Sequence, residues 1–288
     1  MTKAPHEFKR MVVRLPQSSG DFAAVGATAQ LAELLGLHLM AAFIEDISLS
    51  EVAGLPCVRE LRPLGGGWRP IDIGQLAREL ENAAEAARRD FEHLARSCRC
   101  ETSFSFARGS IAEVIHSLTT AEDIIVVIEP RNPAERVTQQ FIRLVEAAFQ
   151  AAAAVMIVPH RVLRTAGPVV AIAATRADPS IRVGLAIAAA ANERLIVLGA
   201  LDADAQAAIR EQAEAVGVEI MPTPQPPFSA SALAARLARL NERLVVMTRG
   251  ACADAVPPAI AAQRGIPVLV IESGKLIEVA AAGETASR

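Results

Sequence analysis

Apolar residues along this chain gather into ten short runs, and polar–apolar patterns of helical spacing fill nearly every gap between them. The runs cover residues 11–15, 39–44, 102–107, 123–128, 154–159, 168–174, 194–200, 218–222, 243–248 and 267–271. Such runs predict strands buried on both faces, as in a parallel sheet covered by helices. Between residues 73 and 97, Leu76, Leu80, Ala83, Ala84, Ala87, Phe91 and Leu94 recur at spacings of three and four. That spacing predicts one buried stripe and one charged face on a long helix. Ser110 with Glu113 three residues on predicts a capped helix start. Asp178 before Pro179 predicts another. Gly36 is a helix stop, and residues 137–150 form a further helix.

Strand alternating with helix predicts an α/β chain with right-handed crossovers. Five strands in each half predict two tandem, doubly wound, five-stranded parallel-sheet domains. The halves also repeat: "RMVVRLPQSSGDFAAV" matches "PVVAIAATRADPSIRV", and "AEDIIVVIEP" matches "NERLVVMTRG". The first half is longer because of an irregular insertion over residues 47–75 that carries Trp68. The expected boundaries are 8–162 for the first domain, 166–275 for the second, and a tail over 276–288. "PTPQPPF" at 222–228 reads as a stiff connector.

Composition removes several classes. The net charge is −3 and aromatics make up 3% of the chain, which argues against a nucleic-acid partner. No run approaches the roughly 18 apolar residues of a membrane span, and the N-terminus lacks the apolar core of a signal peptide. A cytoplasmic protein with no membrane contact is expected. Cys57, Cys98, Cys100 and Cys252 form no CxxC pair, so no metal and no redox centre is expected. His116 reads as a core or rim residue within an apolar helix stripe.

The order of elements and the matched halves resemble a tandem universal stress protein. "GLHLMAAFIED", "QLARELENAAEAARRDFEHLA", "FARGSIAEVI" and "EDIIVVIEP" carry the resemblance, which spans about Arg10 to Ser273. It implies the strand order 3-2-1-4-5 in each half, and halves packed through their fifth strands. Nucleotide-binding members carry an acid just after the first strand and a glycine loop after the fourth. Here the first site reads "RLPQSSGD" and the second "EPRNPAERVTQQF". Pro130 and Pro133 remove backbone donors, and Glu129 puts negative charge where a phosphate would enter. The second half reads "TRGACADAVPPAI", with the lone Gly250 and with Pro257 and Pro258 at or within the last helix. ATP or AMP in the family's usual mode is therefore disfavoured, and no cofactor is expected.

One constellation remains. By the strand order the resemblance implies, Arg14 approaches the loop that carries Arg131 and Arg136, and the three could form an arginine-lined anion site. If the helix reaches back to residue 136, Arg136 and Arg143 share one of its faces. The blander reading pairs Arg131 and Arg136 with Glu129 and Glu135 on a solvated rim. No catalytic residue is assigned, and a non-enzyme is expected. The leading expectation is a stress-associated regulatory protein acting through contacts with itself, as an internal pseudo-dimer or a homodimer, or with a regulatory protein partner. The alternative is a nucleotide or small-anion sensor.

Overall fold

A computed structural model describes residues 8–15, 22–62, 66–199, 201–223 and 230–272. Most of the 222–228 connector and the whole 276–288 tail lie outside the described residues. The elements run β1 (Arg10–Arg14), α1 (Phe22–Leu35), β2 (His38–Asp46), α2 (Ile47–Ala53), β3 (Arg59–Arg62), β4 (Gly66–Pro70), α3 (Ile73–Ala95), β5 (Thr102–Gly109), α4 (Ile111–Leu118) and β6 (Asp123–Ile128). After a 3-10 turn at Pro133–Val137 come α5 (Gln139–Ala151), β7 (Ala154–Val158), β8 (Val169–Ile172), α6 (Pro179–Ala191), β9 (Leu195–Leu198), α7 (Ala203–Ala215) and β10 (Ile220–Thr223). The chain continues through α8 (Ala230–Leu237), β11 (Leu244–Thr248), α9 (Val256–Arg264) and β12 (Val268–Ile271).

Ten strands form one sheet in the order β10-β9-β8-β11-β12-β7-β6-β1-β2-β5. Every neighbouring pair is parallel except β12 and β7, which run antiparallel in the middle. Each side of that seam repeats the order third, second, first, fourth, fifth. The ten-stranded sheet is thus built from two like-ordered runs of five. Its strands are nearly all apolar because helices cover both faces. Side chains of α1, α3, α6 and α7 pack on one face, and those of α4, α5, α8 and α9 on the other.

Local chemistry sets the helix ends. Asp72 accepts from the Gln75 N–H at 2.9 Å and opens α3, whose buried stripe is Leu80, Ala84, Ala87 and Phe91. Ser110 accepts from the Glu113 N–H at 3.4 Å, and its hydroxyl donates to the Glu113 carboxylate at 2.7 Å. Pro257 and Pro258 sit in the first turn of α9, where missing N–H groups cost nothing.

The insertion departs from its expected irregularity. Residues 47–53 are helical, and β3 pairs with β4 as an antiparallel hairpin. The hairpin is pinned by an Arg69–Glu60 bond of 2.6 Å and by Leu61 standing opposite Trp68. His116 also differs from expectation: it lies on the exposed side of α4, while Ile111, Val114 and Ile115 make the buried side.

Two buried ionic links hold the strands' other ends. Arg10 donates to Asp123 through Nε at 3.1 Å and Nη2 at 2.6 Å, tying β1 to β6. Glu242 is fully buried just before β11 and lies 2.8 Å from Arg264 Nε and 3.5 Å from Arg164 Nη2. Arg164 also donates to the Glu242 carbonyl at 2.9 Å, which fastens the segment between the halves.

Candidate functional site

β1 has β2 on one side and β6 on the other, so the crossovers leaving these strands diverge. Such a switch point leaves a crevice at the carboxyl ends of the strands. Here it holds a cavity of about 330 Å³. Leu15, Val126, Ile128, Phe141 and Leu144 supply its apolar wall, and Arg14, Glu129, Glu135 and Thr138 its polar groups.

Arg14 is the last residue of β1. Burial draws its pKa below the ordinary arginine value, and the charge of Asp46 opposes that shift. It stays a cation all the same. Its Nε is buried with no hydrogen-bond partner. Val13 pairs with Val126 in register, so strand alternation sends Arg14 and Glu129 out of the same face.

Glu129 is fixed by the sheet: its N–H donates to the Val158 carbonyl at 2.8 Å. Its side chain is 1% exposed, and neither carboxyl oxygen has a hydrogen-bond partner. The facing charge is Arg136, whose Nη2 lies 3.5 Å away. Burial pushes the carboxyl up to about 7, with Arg136 opposing. Near neutral pH the group is therefore divided between its charged and neutral forms. This corrects the solvated-rim reading, because Glu129 is inside the protein. Of the expected pairings, Arg136 does face Glu129, but across a buried gap.

The loop between β6 and α5 is held by its own groups. Asn132 accepts from the Ala134 N–H at 3.1 Å and opens the 3-10 turn. The Thr138 hydroxyl donates to the Glu135 carbonyl at 2.7 Å and accepts from the Phe141 N–H at 3.3 Å, opening α5. The N–H groups of Glu135, Thr138 and Ile142 go to carbonyls within the loop. Pro130 and Pro133 have none to give.

The three arginines separate accordingly. Arg14 lines the cavity with Glu129, Arg136 faces Glu129 without lining the cavity, and Arg131 is exposed and does neither. Arg136 lies in the 3-10 turn, so it does not share a helix face with Arg143. The second cap at Thr138 delays the helix by three residues relative to Arg136. Residues 16–21, which follow β1 and include Pro16 and Asp21, lie outside the described residues. What sequence reasoning missed was the inward turn of Glu129. The available signal was an acid directly continuing an unbroken apolar strand, where β alternation points its side chain under α5.

The matching place in the second half is built differently. Arg249 N–H donates to the Ile271 carbonyl at 2.8 Å, as Glu129 N–H does to Val158, so Arg249 stands where Glu129 stands. By the same register Ile172 stands where Arg14 stands, since Leu15 and Ala173 bond back to β2 and β9 alike. Asp178, 8% exposed, accepts from the N–H groups of Ala174 and Ser180, both at 3.0 Å. The Thr248 hydroxyl donates to it at 2.5 Å, which draws the end of β11 to the start of α6. Arg249 turns outward to Glu272 at 3.0 Å and over the Phe149 ring at 4.6 Å.

No family model matches the chain, and no curated protein matches it by sequence. Solved structures do. A universal stress protein from Archaeoglobus fulgidus DSM 4304 superposes with a TM-score of 0.65 at 14% identity, covering 91% of this chain and 96% of that one. A structure from Pseudomonas aeruginosa UCBPP-PA14, also described as a universal stress protein, gives 0.53 at 16% identity, with 98% of each chain covered. A protein of unknown function from Pseudomonas aeruginosa PAO1 gives 0.53 at 16% identity, covering 96% of this chain and 98% of that one. Among the described residues no helix is long and apolar enough to cross a membrane. The chain has the fold of the universal stress proteins, at a length that fits two such units in tandem.

Proposed function

We propose that this is a non-enzymatic cytoplasmic sensor in which the crevice of the first half holds a small polar ligand. The second half then serves as a brace. One observation carries the reading: Arg14 Nε and both Glu129 oxygens are buried without hydrogen-bond partners on the wall of a single cavity, and Arg136, whose Nε is also unpartnered, faces Glu129. Buried polar groups are nearly always paired in folded proteins, so a cluster of unpaired ones beside a cavity of ligand size supports an occupant. Among the described residues that line the cavity there is no Ser, Cys or His. The domain limits 8–162 and 166–275 belong to the same proposal.

The test is direct. The purified protein is denatured and any released small molecule is identified by mass spectrometry, while thermal unfolding is followed with candidate ligands. An occupant at a hundredfold excess over its Kd stabilises by about 2.7 kcal/mol. That shift should vanish in Arg14→Met. A protein that releases nothing and shifts with nothing is not a sensor.

A second reading is action through contacts with itself or with a regulatory protein. It is favoured by the hairpin, where Leu61 and Trp68 face each other yet are 57% and 66% exposed. If it holds for self-association, sedimentation should give a dimer that Trp68→Ser weakens.

A further inference from the structure

We propose that the ligand of this crevice is a small 2-hydroxycarboxylate with an apolar side chain, and not a phosphate compound. The inference rests on the sensor reading and narrows it. The unpaired groups specify the head of the molecule. Arg14 lines the crevice and Arg136 faces Glu129 on its wall, and the Nε of each guanidinium needs an acceptor. A planar carboxylate suits guanidinium donors, which lie in a plane with fixed directions. The two Glu129 oxygens need the opposite, a donor, and a hydroxyl beside the ligand's carboxylate supplies it. An ammonium in that place would meet both guanidinium charges, so the neutral donor fits better.

Charge favours a ligand of low negative charge. Arg14 and Arg136 are opposed by Glu129, which burial leaves partly protonated near neutral pH, by Asp46, and by Glu135 on the cavity wall. A phosphate monoester brings more charge and needs more donors. The N–H groups of Ala134, Glu135 and Thr138 in the loop after β6 bond within it, and two of its residues are prolines. At the start of α5 the Thr138 hydroxyl already takes the Phe141 N–H. The rest of the cavity is apolar, with Val126, Phe141 and Leu144 on its wall, so the tail of the ligand is hydrocarbon.

The experiment is calorimetry and thermal unfolding of the full chain with 3-phenyllactate and 2-hydroxyisocaproate. 3-Phenylpropionate, inorganic phosphate, AMP and ATP are the comparison set. The hydroxy acids should bind. Loss of the hydroxyl, in 3-phenylpropionate, should weaken binding about tenfold, as loss of one hydrogen bond to a charged partner does. Arg14→Met should abolish binding, and Glu129→Leu should erase the preference for the hydroxyl while keeping the fold. Equal binding of 3-phenylpropionate and 3-phenyllactate overturns the proposal. So does saturable binding of AMP, ATP or phosphate that depends on Arg14, an outcome that leaves the sensor reading standing. If no probe binds and nothing is released on denaturation, both fall together.

Discussion

The two switch points share a backbone frame and divide on charge. After the fourth strand of each half, the same N–H meets the same fifth-strand carbonyl at 2.8 Å. On that frame the first half places Arg14 and Glu129 inward, and the second half places Ile172 inward and Arg249 outward. The second half also spans its gap with Asp178, which accepts three hydrogen bonds. One crevice is therefore closed by bonds the chain supplies itself. The other keeps polar groups without a hydrogen-bond partner, with Arg136 facing Glu129 at 3.5 Å. On the proposed reading, the duplicated scaffold keeps one site and closes the other with its own bonds.

Buried carboxylates sharpen the contrast, because the halves treat them oppositely. Glu242 meets two arginines and lies fully inside. Glu242→Ala should cost about 3–5 kcal/mol, since it strands charges assembled around it. Urea unfolding of the variant measures this. Glu129→Leu should cost less, because Glu129 makes no hydrogen bond and its facing charge, Arg136, lies 3.5 Å off and partly in solvent. Equal losses from the two variants would erase the distinction between a satisfied half and an unsatisfied one.

The next effect is a pH dependence confined to the first half. Glu129 has its folded carboxyl raised from 4.5 to about 7. The folded state therefore holds the proton more tightly than the unfolded chain does. Stability from this group is intact below about 4.5, falls as pH rises through that window, and is gone above about 7. The span is worth about 3 kcal/mol at most. Glu129→Gln should remove this slope, leaving the variant more stable than the parent at pH 8. Unfolding midpoints of the two proteins across pH 4.5–8 supply the test, and parallel curves would mean that Glu129 is solvated.

How far these features were legible in sequence follows from how local their causes are. Alternating strands and helices were readable because each depends on its own apolar run or stripe. Asp178 as a cap was readable because Pro179 follows it and Ser180 N–H is two residues away. The hairpin at β3 and β4 was not, because its glycines read as irregular and its pairing depends on Glu60 reaching Arg69 across the turn. The Glu242 cluster was not, because Arg164 and Arg264 lie 78 and 22 residues off. Glu129 was read at the phosphate slot, but its burial was not. An acid beside prolines and arginines looks like a solvated rim until α5 is placed above it.

The remaining predictions concern how the second half stays closed. Thr248→Val deletes one donor to Asp178 while two N–H bonds persist, so it should cost about 1.5–2 kcal/mol. Arg249→Met should cost about 1 kcal/mol or less, because its ion pair is partly solvated and the Phe149 contact adds little. The two losses separate two explanations of why this half is closed. If Thr248→Val costs more than Arg249→Met, the latch from β11 to α6 holds the crevice shut and Arg249 merely trims the seam with α5. If Arg249→Met costs more, closure comes from the neighbouring half reaching across through Phe149. In that case the brace is mutual, and a ligand in the first crevice, which packs against the same α5, should change the stability of the second.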